Sequence, residues 1–490
     1  MFNSILVANR GEIACRVMQT ASRLGLRTIA VYHHADRNAP HVDMADVAVE
    51  LISDVPTAGY LDVEQILNIA KEQQAECIHP GYGFLSENAG FAEAVEEAGI
   101  AFVGPQSDVI RLMGDKIHSR EFAVNAGVPV APSVTQEGSL DDFVKQASEI
   151  GFPLLIKAAA GGGGKGMSIV REASELAEKA EVATGEAERY FADGRVYAER
   201  YIDRPRHIEV QVMGDGEGNV VHLFERECSV QRRFQKIIEE SPAARLEPAL
   251  RDQICNAARD LAASAKYRNA GTVEFILTPD DEFYFLEMNT RLQVEHPVTE
   301  MVCGVDLVEA QLRVAAGEGL PWSQSDIKQT GHAIECRICC EEPDNDFRPA
   351  TGTAKVLRQP EGDDVRFDIG IRQGQEITAA FDSMIGKLIC YGEDRESAVE
   401  SSLSALDQLV LLGVSNNVDY LGQILDHDAF RAGELHTGFV VEHAEALGAP
   451  ELDEVDRAAI VIAAALGVDQ FKQLAFETPE PHASIGGWRN

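Results

Sequence analysis

The run Phe285-Leu286-Glu287-Met288-Asn289-Thr290-Arg291-Leu292-Gln293-Val294-Glu295-His296-Pro297 carries a dense series of reactive side chains. In an extended chain successive side chains point to opposite faces. Glu287, Asn289 and Arg291 therefore share one face, and Gln293 and Glu295 join them as far as the strand persists; Met288, Leu292 and Val294 fall on the other. A row of carboxylate, amide, guanidinium, amide and carboxylate opposite an apolar row does not suit a packed core. Upstream, Gly271-Thr272-Val273-Glu274-Phe275-Ile276 reads as a strand with Glu274 on its polar face. Two carboxylates and an amide oxygen are hard ligands of the kind that hold Mg²⁺ on nucleotide phosphates. The competing account is a solvated strand face with surface ion pairs.

A second constellation is Lys157-Ala158-Ala159-Ala160-Gly161-Gly162-Gly163-Gly164-Lys165-Gly166-Met167, between apolar runs at 153–156 and 168–170. Glycine lets the backbone approach a ligand and adopt positive φ, so that successive N–H groups converge on phosphate oxygens. The loop is not a Walker A motif, because Gly166 follows Lys165 and the flanks read as two strands rather than strand and helix. In a third stretch, His207-Ile208-Glu209-Val210-Gln211-Val212, alternation places His207, Glu209 and Gln211 on one face. Close behind it, Glu227-Cys228-Ser229-Val230-Gln231-Arg232-Arg233-Phe234-Gln235-Lys236 packs three cations into five residues. In a chain of formal net charge −37 such a cluster suggests an anion site, with a solvated basic loop as the alternative.

The elements that must position these groups follow from period and punctuation. Residues 5–8, 28–32, 77–79 and 101–103 read as buried strands, and 12–24, 63–72 and 91–98 as helices between them. That alternation predicts a doubly wound parallel sheet. The turn His79-Pro80-Gly81-Tyr82-Gly83-Phe84-Leu85-Ser86-Glu87-Asn88 follows a strand end, where open α/β sheets bind ligands. No G-x-G-x-x-G follows the first strand, so a dinucleotide site is not expected there.

The fold class expected is α/β, α+β in parts. Its divisions are an N-terminal region at 1–112, a central region at 113–330 containing a smaller α/β unit at about 130–203, a mixed α/β region at 331–446, and an acidic tail or linker start at 447–490. At 490 residues the chain is long enough for about two to four domains. Its acidity argues against nucleic acid or an anionic membrane surface as a partner, and no apolar run reaches the ~20 residues of a membrane helix. The opening residues lack the pattern of a secretory signal and read as the first strand of a domain, from which a cytoplasmic enzyme is expected. The nine cysteines suit reduced thiols. Cys336 and Cys339 have metal-like spacing, but without a second pair they read as small strand residues.

Taken together, residues 1–445 resemble the ATP-grasp superfamily and within it the biotin carboxylase family. The resemblance rests on Ala8-Asn9-Arg10-Gly11-Glu12-Ile13-Ala14, the turn at 79–88, Met113-Gly114-Asp115-Lys116, the glycine loop, the stretch 287–299, and Phe381-Asp382-Ser383-Met384-Ile385-Gly386-Lys387. It implies a central ATP-grasp domain with a mobile lid. It also implies that Lys116, Lys157, His207 and Gln231 contact the nucleotide, and that Gly163 and Gly164 close over its phosphates. Glu199, Arg200, Tyr201 and Ile202 would border the adenine. Glu274, Glu287 and Asn289 would hold two Mg²⁺ or Mn²⁺ ions. Lys236, Arg291, Gln293 and the Val294 backbone would cradle bicarbonate, Glu295 would be the base, and Arg337 would lie beside the biotin ureido ring.

The activity so implied is ATP- and bicarbonate-dependent carboxylation of biotin by way of carboxyphosphate. The implied partners are a biotin carboxyl carrier protein or domain and a carboxyltransferase, in a homodimeric enzyme of the acyl-CoA carboxylase type. One departure is Phe234, where the family usually has histidine; a changed nucleotide affinity is expected there. The alternatives are another ATP-grasp ligase that forms an acyl phosphate, and a non-catalytic homologue. None of the nine methionines is followed by lysine, the pair at which carrier domains take biotin, so the carrier is expected to lie outside these residues.

Overall fold

A computed structural model describes the chain except for residues 137, 159–166, 192–193, 449–453, 456 and 464–490. Residues 1–447 form one compact unit; in the second, 448–490, residues 457–463 are helical.

The N-terminal elements lie close to where their periodicity put them. Ser4–Val7, Arg27–His33, Cys77–His79 and Ala101–Phe102 are strands, and Gly11–Arg23, Val63–Glu72 and Ala89–Glu97 are helices. The sequence reading missed the edge strand Val47–Leu51, which pairs in parallel with Arg27–His33 and completes a five-stranded sheet. Four of its five residues are not buried, so it lacks the apolar run that marks an interior strand. Just past the carboxyl ends of the adjacent strands Ser4–Val7 and Cys77–His79, Asn9 Nδ2 donates to the carbonyls of Pro80 at 2.7 Å and Tyr82 at 2.8 Å, tying the 79–88 turn to the first strand. Gly81 is needed there: its φ is +63°, and a Cβ would fall 2.7 Å from that same Nδ2.

The central feature is an eight-stranded sheet. In spatial order its strands are Phe283–Asn289, Arg268–Leu277, Arg206–Asp215, Val220–Arg232, Gln235–Ser241, His332–Cys339, Met384–Gly392 and Val365–Ile369, all antiparallel to their neighbours. It runs without a break from the central region into the residues beyond 331, through pairs such as Ile238 with Cys336 and Glu240 with Ile334. One face buries Ile208, Val210, Val212, Val273, Phe275 and Met288 together with residues of the helix Pro248–Ser264. By alternation the opposite face presents the polar members of the same strands.

A separate four-stranded sheet, in the order Ser133–Thr135, Val196–Arg200, Leu154–Ala158 and Ser168–Val170, packs under the helices Leu140–Ile150 and Ala173–Phe191. Leu154–Ala158 and Ser168–Val170 are antiparallel neighbours, the strand-strand flanks expected of the glycine run; the loop itself, with Gly163 and Gly164, lies outside the described residues. All nine cysteines are free thiols and all but Cys303 are buried, Cys336 and Cys339 included.

Candidate active site

Between the large sheet, which includes the strand carrying Arg337, and the small sheet lies a cavity of about 520 Å³, a size ordinary for a nucleotide or similar ligand. Every site residue expected from the sequence that falls among the described residues lines it. Lys116, Lys157, Glu199, Arg200, Tyr201, Ile202, His207 and Gln231 occupy one part. Lys236, Glu274, Glu287, Asn289, Arg291, Gln293, Val294, Glu295 and Arg337 occupy the rest.

Alternation along 207–211 holds: His207, Glu209 and Gln211 are buried on the polar face while Ile208 and Val210 enter the core. Glu274 and Glu287 are direct cross-strand partners. The strand does not persist as far as Glu295, however; it ends at Asn289. Arg291–Glu295 form an irregular segment before the helix His296–Cys303, and this segment, not a continued pleat, brings Gln293 and Glu295 into the cavity.

Lys236 is the hub. Its Nζ donates to Glu209 at 2.5 Å, Glu274 at 2.8 Å and Glu295 at 2.7 Å. Burial opposes its charge, but the three carboxylates outweigh burial and hold its pKa well above the ordinary lysine value. Glu295 is also reached by Arg337 at 3.1 Å, and Arg337 donates its Nε to Glu239 at 2.5 Å. Burial alone would raise the Glu295 carboxyl; Lys236, Arg337 and Arg226 overcome that and keep it below the usual carboxylate range. Glu274 accepts from Asn289 at 2.8 Å and Gln293 at 2.7 Å, and His207 Nε2 lies 2.8 Å away. Gln231 Nε2 approaches the other ring nitrogen of His207 at 2.8 Å.

Arg291 donates to Glu87 at 3.0 Å and to Asn289 at 2.9 Å. Asp115 caps the helix Lys116–Asn125 and so places Lys116 at its first position. Lys157 pairs with Glu199, which Arg120 also reaches at 3.2 Å. Tyr201 is held by its backbone, donating to Pro153.

The oxygen donors Glu274, Glu287 and Asn289 fit a divalent cation. Glu287 makes no hydrogen bond or ion pair among the described residues and faces the cavity. Its pKa is raised by burial and then by the charge of Glu274 across the strand pair, a repulsion that a cation between them relieves.

Several groups were not found by sequence reasoning. Arg226 is fully buried and donates to Glu209 at 2.6 Å, Gln211 at 2.8 Å and Gln293 at 2.8 Å. Glu87 lies in the turn at 79–88 and Glu209 in the alternation at 207–212, so position could have singled them out. Nothing local marks Arg226 or Glu239. Phe234 sits at the hairpin turn between Val220–Arg232 and Gln235–Ser241, 66% exposed, with φ of +65°, on the cavity rim.

Comparison with known proteins agrees with this geometry. Residues 1–110 match the biotin carboxylase N-terminal domain, 115–323 the ATP-binding domain of the carbamoyl-phosphate synthase L chain, and 335–442 the biotin carboxylase C-terminal domain. The chain is 46% identical to a biotin carboxylase of Nostoc sp. over 90% of its own length and 99% of that protein. It is 47% identical to the mitochondrial methylcrotonoyl-CoA carboxylase subunit alpha of Dictyostelium discoideum, covering 99% of this chain and 70% of that one. It spans 62% of the corresponding mouse subunit. The biotin carboxylase domain dimer of the Hydrogenobacter thermophilus 2-oxoglutarate carboxylase, solved with MgADP, ADP and bicarbonate, superposes with a TM-score of 0.88 at 45% identity over 92% of this chain and all of that one. By sequence and by fold, the chain belongs to the biotin carboxylase family of ATP-dependent ligases.

Proposed function

We propose that the cavity carries out ATP- and bicarbonate-dependent carboxylation of biotin, with the residue roles that follow. The observation that supports this most directly is a buried carboxylate, Glu295, within 2.7 Å of Lys236 and 3.1 Å of Arg337 in the lining of a nucleotide-sized cavity. Bicarbonate placed between Lys236, Arg291, Gln293 and the Val294 backbone has its own acidity increased by the two cations. Glu295, charged though weakly basic, then takes the proton as the dianion is consumed. The freed oxygen attacks the γ-phosphorus, ADP leaves, and carboxyphosphate forms. Glu274, Glu287 and Asn289 would hold a divalent cation, which would supply neutralisation of the phosphate charge. Lys116 and Lys157 add their charges from the other side, with Glu199–Ile202, His207 and Gln231 orienting the nucleotide.

Carboxyphosphate breaks to CO₂ and phosphate. The phosphate takes the ureido N–H proton, and the nitrogen bonds to CO₂. Arg291, with Arg337 beside the ring, stabilises the negative oxygen that develops on the ureido group. A closed site keeps water from carboxyphosphate, the role assigned to the loop of Gly163 and Gly164.

The biotin is carried by a separate carrier protein or domain, and a carboxyltransferase takes the product onward, in a homodimeric and cytoplasmic enzyme. Among the described residues no helix is long and apolar enough to cross a membrane.

The test is ATP hydrolysis by the purified chain with and without bicarbonate and free biotin. Hydrolysis that requires bicarbonate, with carboxybiotin formed when biotin is added, is the expected result. ATP cleavage indifferent to both would direct the site to another acid. The division of labour predicts that Arg291→Ala keeps slow bicarbonate-dependent hydrolysis but loses about a hundredfold more of biotin carboxylation. Equal losses in the two reactions would contradict it.

A further inference from the structure

The stretch 381–387 entered as part of the family resemblance, with no task for its last residue. Lys387 is completely buried within the strand Met384–Gly392 and does not line the cavity. Its Nζ donates to the carbonyl oxygen of Val294 at 2.5 Å, lies 3.5 Å from Glu12 Oε1, and stands 5.8 Å from the centre of the Tyr82 ring. An ammonium from the C-terminal region thus grips the backbone of the segment that carries Glu295, with an N-terminal carboxylate behind it. The preceding carbonyl is held as well: Gln293 O lies 2.7 Å from His296 Nδ1, which must be the donor. Two buried donors therefore fix two successive peptide planes, one bearing the Val294 N–H and the other leading into Glu295.

A buried ammonium is expensive, and a hydrocarbon of similar length in its place is often neutral or stabilising. Stability alone does not account for it. Nor is neutralising Glu12 its best-made contact, because both carboxylate oxygens of Glu12 lack a hydrogen-bond partner while the Val294 contact is an ångström shorter than the Glu12 approach.

We propose that Lys387 is a positioning residue for the bicarbonate segment, holding the Val294 carbonyl so that the Val294 amide and the Glu295 carboxylate meet the bicarbonate in register. This rests on the bicarbonate roles proposed above for Val294 and Glu295. Misplacement of reacting groups by about an ångström costs on the order of a hundredfold in rate. The loss should therefore appear in kcat and in the KM for bicarbonate, not in the KM for ATP.

The experiment compares Lys387→Met/Glu12→Gln, Glu12→Gln alone and the wild type in bicarbonate-dependent ATP hydrolysis, with melting temperatures alongside. The double variant removes the cation without stranding Glu12, leaving Glu335 and Asp368 as the other carboxylates that face it. It is expected to melt like the wild type, to keep the ATP KM within about twofold, and to show a bicarbonate KM about tenfold higher with kcat about ten- to a hundredfold lower. Glu12→Gln alone is expected to keep both bicarbonate constants. Wild-type constants in the double variant would overturn the proposal, since the lysine would then serve to neutralise Glu12. A tenfold loss in Glu12→Gln alone would overturn it too, and decides the matter even if the double variant does not fold. The wild type separates this inference from its foundation: without bicarbonate-dependent hydrolysis there, the functional reading falls, and the role of Lys387 with it.

Discussion

Two clusters of charge border the cavity, and they are balanced in opposite senses. On the large sheet one ammonium, Lys236, serves three carboxylates, and arginines 226 and 337 complete the pairing from behind. On the small sheet one carboxylate, Glu199, is shared by two cations, Lys157 and Arg120. The first cluster has its positive charge fully committed, so removing one member leaves buried partners uncompensated. The second has positive charge to spare and can offer it to an anionic ligand while remaining paired. The first arrangement suits the precise placement of reacting groups proposed above, and the second suits the proposed affinity for phosphate.

The largest expected effect probes the committed cluster. Lys236→Met should lower kcat for bicarbonate-dependent ATP cleavage about a thousandfold and cost about 3 kcal/mol of stability, because Glu209, Glu274 and Glu295 lose their common partner. Urea titration and steady-state hydrolysis report the two losses. Unchanged stability would mean that the three carboxylates do not depend on this ammonium.

A smaller and different effect is expected across the cavity. Lys157→Met should raise the KM for ATP about tenfold, about 1.4 kcal/mol of binding, with kcat within about threefold. A kcat loss as deep as that of Lys236→Met would erase the contrast between the clusters.

An effect confined to stability, with the chemistry untouched, sets both against a buried group outside the cavity. His79 accepts from the Gly81 N–H at Nδ1 and reaches Gln311 Oε1 through Nε2 at 3.1 Å. Burial pushes its pKa down to about 4. The folded protein thus resists a proton that the unfolded chain accepts near pH 6.5, so stability is unaffected above that pH and is lost as pH falls from about 6.5 towards 4. At pH 5 this amounts to about 2 kcal/mol relative to pH 7. The stability gap between wild type and His79→Gln should narrow by that amount between the two pH values; a constant gap would show that His79 does not set this dependence.

Much of this was legible because it is local. Alternation placed His207, Glu209 and Gln211 on one face, and Glu274 with Glu287 and Asn289 on the polar side of theirs, since a period of two survives any tertiary context that buries one face. What could not be read depended on pairing at long range. The end of the strand at Asn289 is set by the turn into the helix His296–Cys303, not by any break in alternation. Arg226 looks like one arginine between two glutamates until four other segments supply its acceptors. The half-buried edge strand Val47–Leu51 lacked the apolar signal by which its neighbours were found. The junction of Gln235–Ser241 with His332–Cys339 has no signature in either strand.

That junction has a consequence for synthesis. Glu240 and His332, which meet across it, are 92 residues apart in the chain. At ordinary elongation rates the ribosome needs about 5–20 s to cover that interval. Throughout it, Gln235–Ser241 is a free edge beside Val220–Arg232 and Arg206–Asp215, which precede it in the chain and can already pair, with Ile237 and Ile238 in the middle of it. Unprotected edges recruit other chains, and charged side chains are the usual deterrent. Lys236, Glu239 and Glu240, which flank those isoleucines, would then guard the nascent chain before they take up their places in the finished enzyme.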